Sequence, residues 1–189
     1  IDIQGLGPGD RIVKATSLEG KKYSQDPKLN QGTELRTGDS EASLDYLDCS
    51  EFVCRVMADD GITDGVMQMS TKELTTFLNN DDKFIRSENE PQAGDIFLWR
   101  EGNKGHTGIV VSYDKKTGEV ETSEARGVKS GTKRVFRKLR AFTGHSGWKG
   151  FYRPKKENPD KKSNTTATSD KKQNNDNSEN SNSEFIKWV

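Results

Sequence analysis

The chain has 189 residues, room for one domain with a buried core and some additional length. Only 29% of them are hydrophobic, so part of the chain is expected to stay outside that core, and a net charge of zero singles out no partner by bulk electrostatics. No run is long and apolar enough to span a membrane and no secretory signal is visible, while a start at Ile1 without Met reads as a fragment or a processed product.

The charge is unevenly placed. Asp39 to Asp64 holds eight acids and one base, and Ala125 to Lys156 holds eleven Lys or Arg and no acid. Either the two runs offset each other in the fold, or the second is a basic face toward an anionic polymer, nucleic acid or cell wall.

Residues 1–9 are Gly-rich and end Gly7-Pro8-Gly9, which reads as a junction or linker. Asp10 then suits the cap of a helix over Arg11 to Leu18, stopped by Gly20. Residues 24–43 are polar, with Pro27, Gly32 and Gly38, and read as a long loop that could cover a site. Asp48, with Glu51 three residues on, predicts a capping box at the start of a second helix, and Phe52, Val53, Val56 and Met57 form its apolar stripe. Ser70 and Glu73 repeat the box before a short helix. Ile96 to Trp99, Gly108 to Tyr113, Glu119 to Ala125, Val135 to Leu139 and Gly150 to Tyr152 read as strands, with Asp114 to Gly118 as a hairpin loop. Residues 154–183 are Asn, Ser, Lys, Asp and Thr, a composition that cannot offset chain entropy and predicts a disordered linker. Residues 184–189 turn apolar again, as a docking peptide or an exposed end.

The chemistry centres on two cysteines and two histidines. Cys49 falls in the first turn of the second helix, where amide groups and the helix dipole favour a thiolate, and the wheel points its thiol along the buried face. Cys54 points away, about 140° round the helix, so a disulfide between the two is not expected. His106 opens a strand, whereas His145 lies in the Gly-rich run Gly144 to Gly147, and a strand holds a base more rigidly. Strand parity puts His106, Gly108, Val110 and Ser112 on one face. If Ser112 pairs with Gly118 across the hairpin, His106 pairs with Glu124, and a slip of two residues would keep that parity. Glu124 could then orient the imidazole as the third member of a triad. Taken singly, a cysteine at a helix start is more often a small buried residue, and a histidine near a strand end is more often structural. The Cys and His residues lack zinc-ligand spacing, no Gly-rich phosphate loop is present, and neither metal nor cofactor is expected.

The run Asp48-Cys49-Ser50-Glu51-Phe52-Val53 resembles the Asp-Cys-Ser-Gly-aliphatic-Val motif of the NlpC/P60 family of papain-like cysteine hydrolases. Pro91 to Phe97 resembles the family's Pro-Gly-Asp turn, His106-Thr107-Gly108-Ile109-Val110 its histidine strand, and Ala15, Gly20 and Tyr23 its opening helix. The resemblance covers about residues 10–153 and implies an α+β fold in which a helix carrying the nucleophile packs on a small antiparallel sheet. It implies Cys49 as nucleophile, His106 as base, and Tyr23, Asp48 and Ser50 at positions that hold the substrate peptide's free amine. Packing, helix capping and a polar surface are equally good readings of those last three. Glu51 departs from the family's Gly, and Glu124 stands where His, Asn or Gln is usual, in which it resembles the related CHAP amidases.

The resemblance implies a peptidoglycan hydrolase, a cysteine amidase or endopeptidase that cuts cell-wall peptides through a thioester. A thiol acyltransferase or protein-modifying enzyme of the same fold, and a non-catalytic binder using residues 126–156, are the alternatives; nucleic acid is not the expected partner. Asp2-Ile3-Gln4-Gly5-Leu6 resembles the Asp-Pro-x-Gly-Leu junction of Rhs-type polymorphic toxins. That implies an antibacterial effector, secreted or delivered to the periplasm or cell wall, with an immunity protein and a secretion-system carrier as partners.

Overall fold

The computed structural model describes residues 8–26 and 46–155. In chain order these form α1 (Pro8–Ser17), β1 (Lys22–Tyr23), β2 (Tyr46–Leu47), α2 (Cys49–Asp59), α3 (Thr71–Leu78), β3 (Phe84–Ser87), β4 (Ile96–Glu101), β5 (Lys104–Asp114), β6 (Glu119–Ala125), β7 (Thr132–Lys138), α4 (Leu139–Thr143) and β8 (Trp148–Pro154). β1 and β2 make a small parallel pair, and the remaining strands form one antiparallel sheet in the order β3-β8-β4-β5-β6-β7. This is the expected α+β arrangement, with β5 in the interior of the sheet and α2 packed against it.

The sequence explains the main elements locally. The Asp48 side chain caps α2 by accepting from the Glu51 N–H at 2.8 Å. The full capping box expected there does not form, because the Glu51 carboxylate lies 3.6 Å from Arg55, one turn on, instead of reaching back. Gly61, at φ 74°, follows the helix's C-cap Asp60. At α3 the box is complete, between Ser70 and Glu73. Phe52, Val53, Val56 and Met57 are fully buried, as the apolar stripe requires.

Two apolar clusters flank the sheet. The larger joins α1, α2 and α3 to Ile96, Leu98, Ile109, Ala125 and Tyr152. The smaller holds Phe97, Val110, Val120, Phe151 and Phe142 of α4. At about 1.5–3 kcal/mol for each fully buried large side chain, the two faces of β4, β5 and β6 hold the sheet in place. A buried ion pair secures α1: Arg11 reaches Asp60 at the end of α2 at 2.7 Å and donates to the Gly94 carbonyl at 2.6 Å.

Several expectations are corrected. α1 starts at Pro8, inside the expected 1–9 junction, since proline suits a first helical turn. β5 starts at Lys104, so His106 lies within the strand rather than at its opening. β7 and β8 are longer than expected, β8 running to Pro154, and β3 was not foreseen. The hairpin pairs Ser112 with Glu121, not Gly118; a bulge between Val110 and Ser112 then restores parity and puts Gly108 opposite Glu124. Among the described residues the charged runs do not pair with each other. Acids of the first are paired with Arg11, Lys14 and Arg55, and bases of the second with Glu19, Glu121, Glu124 and Asp95. The Asp2–Leu6 junction, residues 27–43 of the long loop, the linker beyond residue 155 and the apolar segment 184–189 lie outside the described residues.

Candidate active site

Cys49 is the first residue of α2, and β5 crosses in front of it. Cys49 is 6% exposed and lines a cleft of about 620 Å³ together with Gln25, Asp48, Ser50, Trp99 and Lys104. The backbone amides of Thr107 on β5, Ser50 and Cys49 itself lie near enough to the sulfur to favour its charged form. His106 is the residue before Thr107, so the strand that closes on the thiol also carries the imidazole.

The helix-start amides act on the thiol as expected, but they do not win. Burial, followed by the Asp48 carboxylate, pushes the Cys49 thiol up to about 12, against the downward pull of the three amides. The resting sulfur is therefore a thiol, which corrects the expected thiolate. Cys54 is also buried and free, and its thiol faces the Met69 carbonyl at 3.9 Å. Burial is again the main cause of its rise to about 12.

His106 and Glu124 meet as parity required, on the diagonal. Continuing the register from Ile109↔Ser123 sets Gly108 opposite Glu124; His106 lies two residues further along β5, and its Nε2 is 3.1 Å from Glu124 Oε1. This bond engages Nε2 and leaves Nδ1 as the ring nitrogen available to another group. Gly108 makes the approach possible, because a Cβ there would stand 2.6 Å from the Phe97 ring and 2.8 Å from Glu124 Cβ. The imidazole itself is 16% exposed and sits against Phe97 and Trp99, with ring centroids 5.7 and 6.3 Å away.

Glu124 has no exposed surface and is closely held. Thr122 donates to Oε2 at 2.8 Å, and Arg137 on β7 donates to both oxygens, Nη1 to Oε2 at 2.8 Å and Nη2 to Oε1. Arg126 Nε stands 3.6 Å from Oε1. Burial alone would raise this carboxyl. The hydrogen bonds from Arg137 and His106 overcome it and hold Glu124 at about 2, ionised at any working pH.

Tyr23, Asp48 and Ser50 are brought to the same place. Ser50 Oγ donates to Asp48 Oδ1 at 3.0 Å, the oxygen that also caps α2. Tyr23 feels both Cys49 and Asp48: burial first, then these two groups, push its phenol up to about 12, opposed by a hydrogen bond with Gln25. Sequence reasoning missed Arg137, Thr122, Gln25 and Trp99. Arg137 was legible only as one of eleven bases in the last charged run; the register Val120↔Arg137, which puts it on Glu124's face, needed the fold. Among the described residues no group of three or more His, Cys, Asp or Glu could hold a metal ion, and no helix is long and apolar enough to cross a membrane.

The family model described as "CHAP domain", a cysteine/histidine-dependent amidohydrolase/peptidase, matches residues 39–126, a stretch that contains Cys49, His106 and Glu124. The fold is similar to the crystal structure of a wild type endolysin, LysIME-EF1, with a TM-score of 0.50 and 17% identity, over 78% of this chain and 64% of the endolysin chain. This chain thus spans just under two thirds of that endolysin. No curated protein matches the sequence. Residues 39–126 are thus similar to a CHAP domain, and the fold is the α+β one, a helix packed on an antiparallel sheet, that the NlpC/P60 resemblance implies.

Proposed function

We propose that this chain is a peptidoglycan hydrolase, a cysteine amidase or endopeptidase with Cys49 as nucleophile, His106 as base and Glu124 as the group that orients the base. The observation that carries the reading is the placement of one thiol at a helix start, in an open cleft, beside the strand on which His106 Nε2 is held 3.1 Å from a buried carboxylate. The likeness to an endolysin and the match to an amidohydrolase/peptidase domain support the cell wall as target.

Cys49 enters as a thiol. As Sγ bonds to the carbonyl carbon, the thiol proton passes to His106 Nδ1, and Glu124 at Nε2 stabilises the imidazolium. The imidazolium then protonates the leaving amine as the C–N bond breaks, which leaves a thioester on Cys49. Water, deprotonated by the same imidazole, adds to that carbonyl and releases the acid. Amide groups at the start of α2 supply donors for the developing oxyanion. Asp48, Ser50 and the Tyr23 hydroxyl form a polar corner beside the nucleophile, suited to the free amine of a peptide. The resemblance of residues 2–6 to an Rhs-type junction supports delivery to a competitor's cell wall by a secretion-system carrier, with an immunity protein as partner.

The test is release of soluble muropeptides from purified sacculi. The chain releases them, and Cys49→Ala lowers the rate by on the order of 10³-fold or more while leaving the fold intact. Equal release by both proteins would overturn the assignment of Cys49.

A further inference from the structure

The carboxylate behind His106 is shared. Oε1 of Glu124 faces His106 Nε2 and Arg137 Nη2, and Oε2 faces Thr122 Oγ1 and Arg137 Nη1. The guanidinium binds both oxygens as a fork, a geometry that fixes the plane of a carboxylate and not only its position. Arg137 is itself held: its side chain is 23% exposed, and its guanidinium lies over the Phe142 ring, 5.6 Å from the centroid. Glu124 meanwhile is fully enclosed, so it has no water with which to share its charge.

The geometry points to Arg137 as a positioning residue for the His106 base, acting through Glu124; this rests on the reading of Cys49, His106 and Glu124 as the reacting group. Arg137 has two separable effects. Its fork sets the carboxylate plane, so that His106 Nε2–H has one direction in which to donate and Nδ1 remains for the thiol proton. Its charge balances Glu124, so that the carboxylate orients the imidazole without holding it permanently as an imidazolium. A fully enclosed carboxylate left with only the more distant and more exposed Arg126 guanidinium beside it would favour the protonated ring, which cannot take the Cys49 proton.

Among the described residues, the charged groups that face the ring are Glu124 on β6, with Arg126 just after it and Arg137 on β7 against that carboxylate. Cys49 at the start of α2 is beside Thr107, the next residue on β5, with Asp48 and Tyr23 next to the thiol. β4 presents Phe97 and Trp99, with His145 stacked behind Trp99 at 4.2 Å between ring centroids.

The experiment uses the full chain and two variants, Arg137→Gln and Arg137→Lys, with ¹⁵N NMR of the imidazoles. The sequence has two histidines, so His145 serves as the internal control. Arg137→Gln should move the His106 titration to higher pH, relative to the unsubstituted chain, and leave His145 in place. Arg137→Lys keeps the charge and loses the fork. Its His106 titration should stay where it was, while the ring nitrogens drift from a fixed Nε2–H tautomer toward an averaged pattern. On sacculi, Arg137→Gln should lower kcat by on the order of 10–100-fold with little change in KM, the range typical when a partner behind a functional histidine is lost. Arg137→Lys should fall between. If neither variant alters the His106 ring signals, the proposal is overturned, even if kcat falls, because the role is then merely structural. Should Arg137→Gln fail to fold, the tautomer readout in Arg137→Lys decides. An unsubstituted chain that leaves sacculi intact would count against the proposed function, and the ring signals would still decide the role of Arg137.

Discussion

Cys49 was legible as a nucleophile candidate, but its ionisation was not. Helix phase places the thiol on the buried face and helix-start amides around it, and both are found. Sequence gives no measure of how much burial costs the thiolate, and here burial outweighs the amides. The consequence is testable. A folded thiol held near 12 keeps its proton up to a pH well above the ordinary thiol value of about 8.5, so iodoacetamide should alkylate resting Cys49 slowly at pH 7 and faster only in strong alkali. A rate that stays high down to pH 5 would show a preformed thiolate and contradict proton transfer during attack. At Glu124, substitution by Gln should lower kcat by on the order of 10²-fold or more, since an amide cannot balance an imidazolium. It also leaves the partly buried Arg137 guanidinium unpaired, so Glu124→Gln should destabilise the fold by about 3 kcal/mol in urea titration.

Among the elements, α2 was the most legible, because cap, stripe and stop all lie within one short stretch. Its box was half right, since Arg55 one turn away competes for Glu51. The hairpin was read with the correct loop and the wrong register: the strands already pair Asp114 with Glu119 at the turn, and the bulge beyond Ser112 leaves no mark in an alternating apolar pattern. The pairing of His106 with Glu124 survived because the sum of slip and bulge is even. β3 escaped notice because Phe84–Ser87 has one buried apolar residue and exposes Ile85. The fit between β4, β5 and β6 turns on Gly108, and a methyl group there must push Phe97 or Glu124 aside. Gly108→Ala should therefore cost about 1–3 kcal/mol and lower kcat as His106 loses its carboxylate, read by thermal unfolding and muropeptide release. An unchanged kcat would show that the site tolerates displacement of Glu124.

For the molecule as a whole, pH couples the site to stability. The folded Glu124 carboxyl sits at about 2, below an unfolded value of about 4.3. Its contribution is therefore fully present above pH 4.3 and is lost as pH falls toward 2, an effect on the order of 3 kcal/mol. Asp95 acts the other way: burial raises it despite Arg153, so it partly offsets the loss on acidification. The urea midpoint should fall through this acid window, and Glu124→Gln should flatten that fall. An identical pH dependence in both proteins would place the acid-sensitive group elsewhere. The fold class and the order of motifs were legible because each motif is local. Arg137 was not, because its role depends on which strand lies beside β6. The most direct test of the central claim is mass spectrometry of sacculi digested with this chain and with Cys49→Ala. The account predicts muropeptides with a newly cut peptide bond, formed only while Cys49 is present; an intact peptide network, or the same cuts by both proteins, would contradict it.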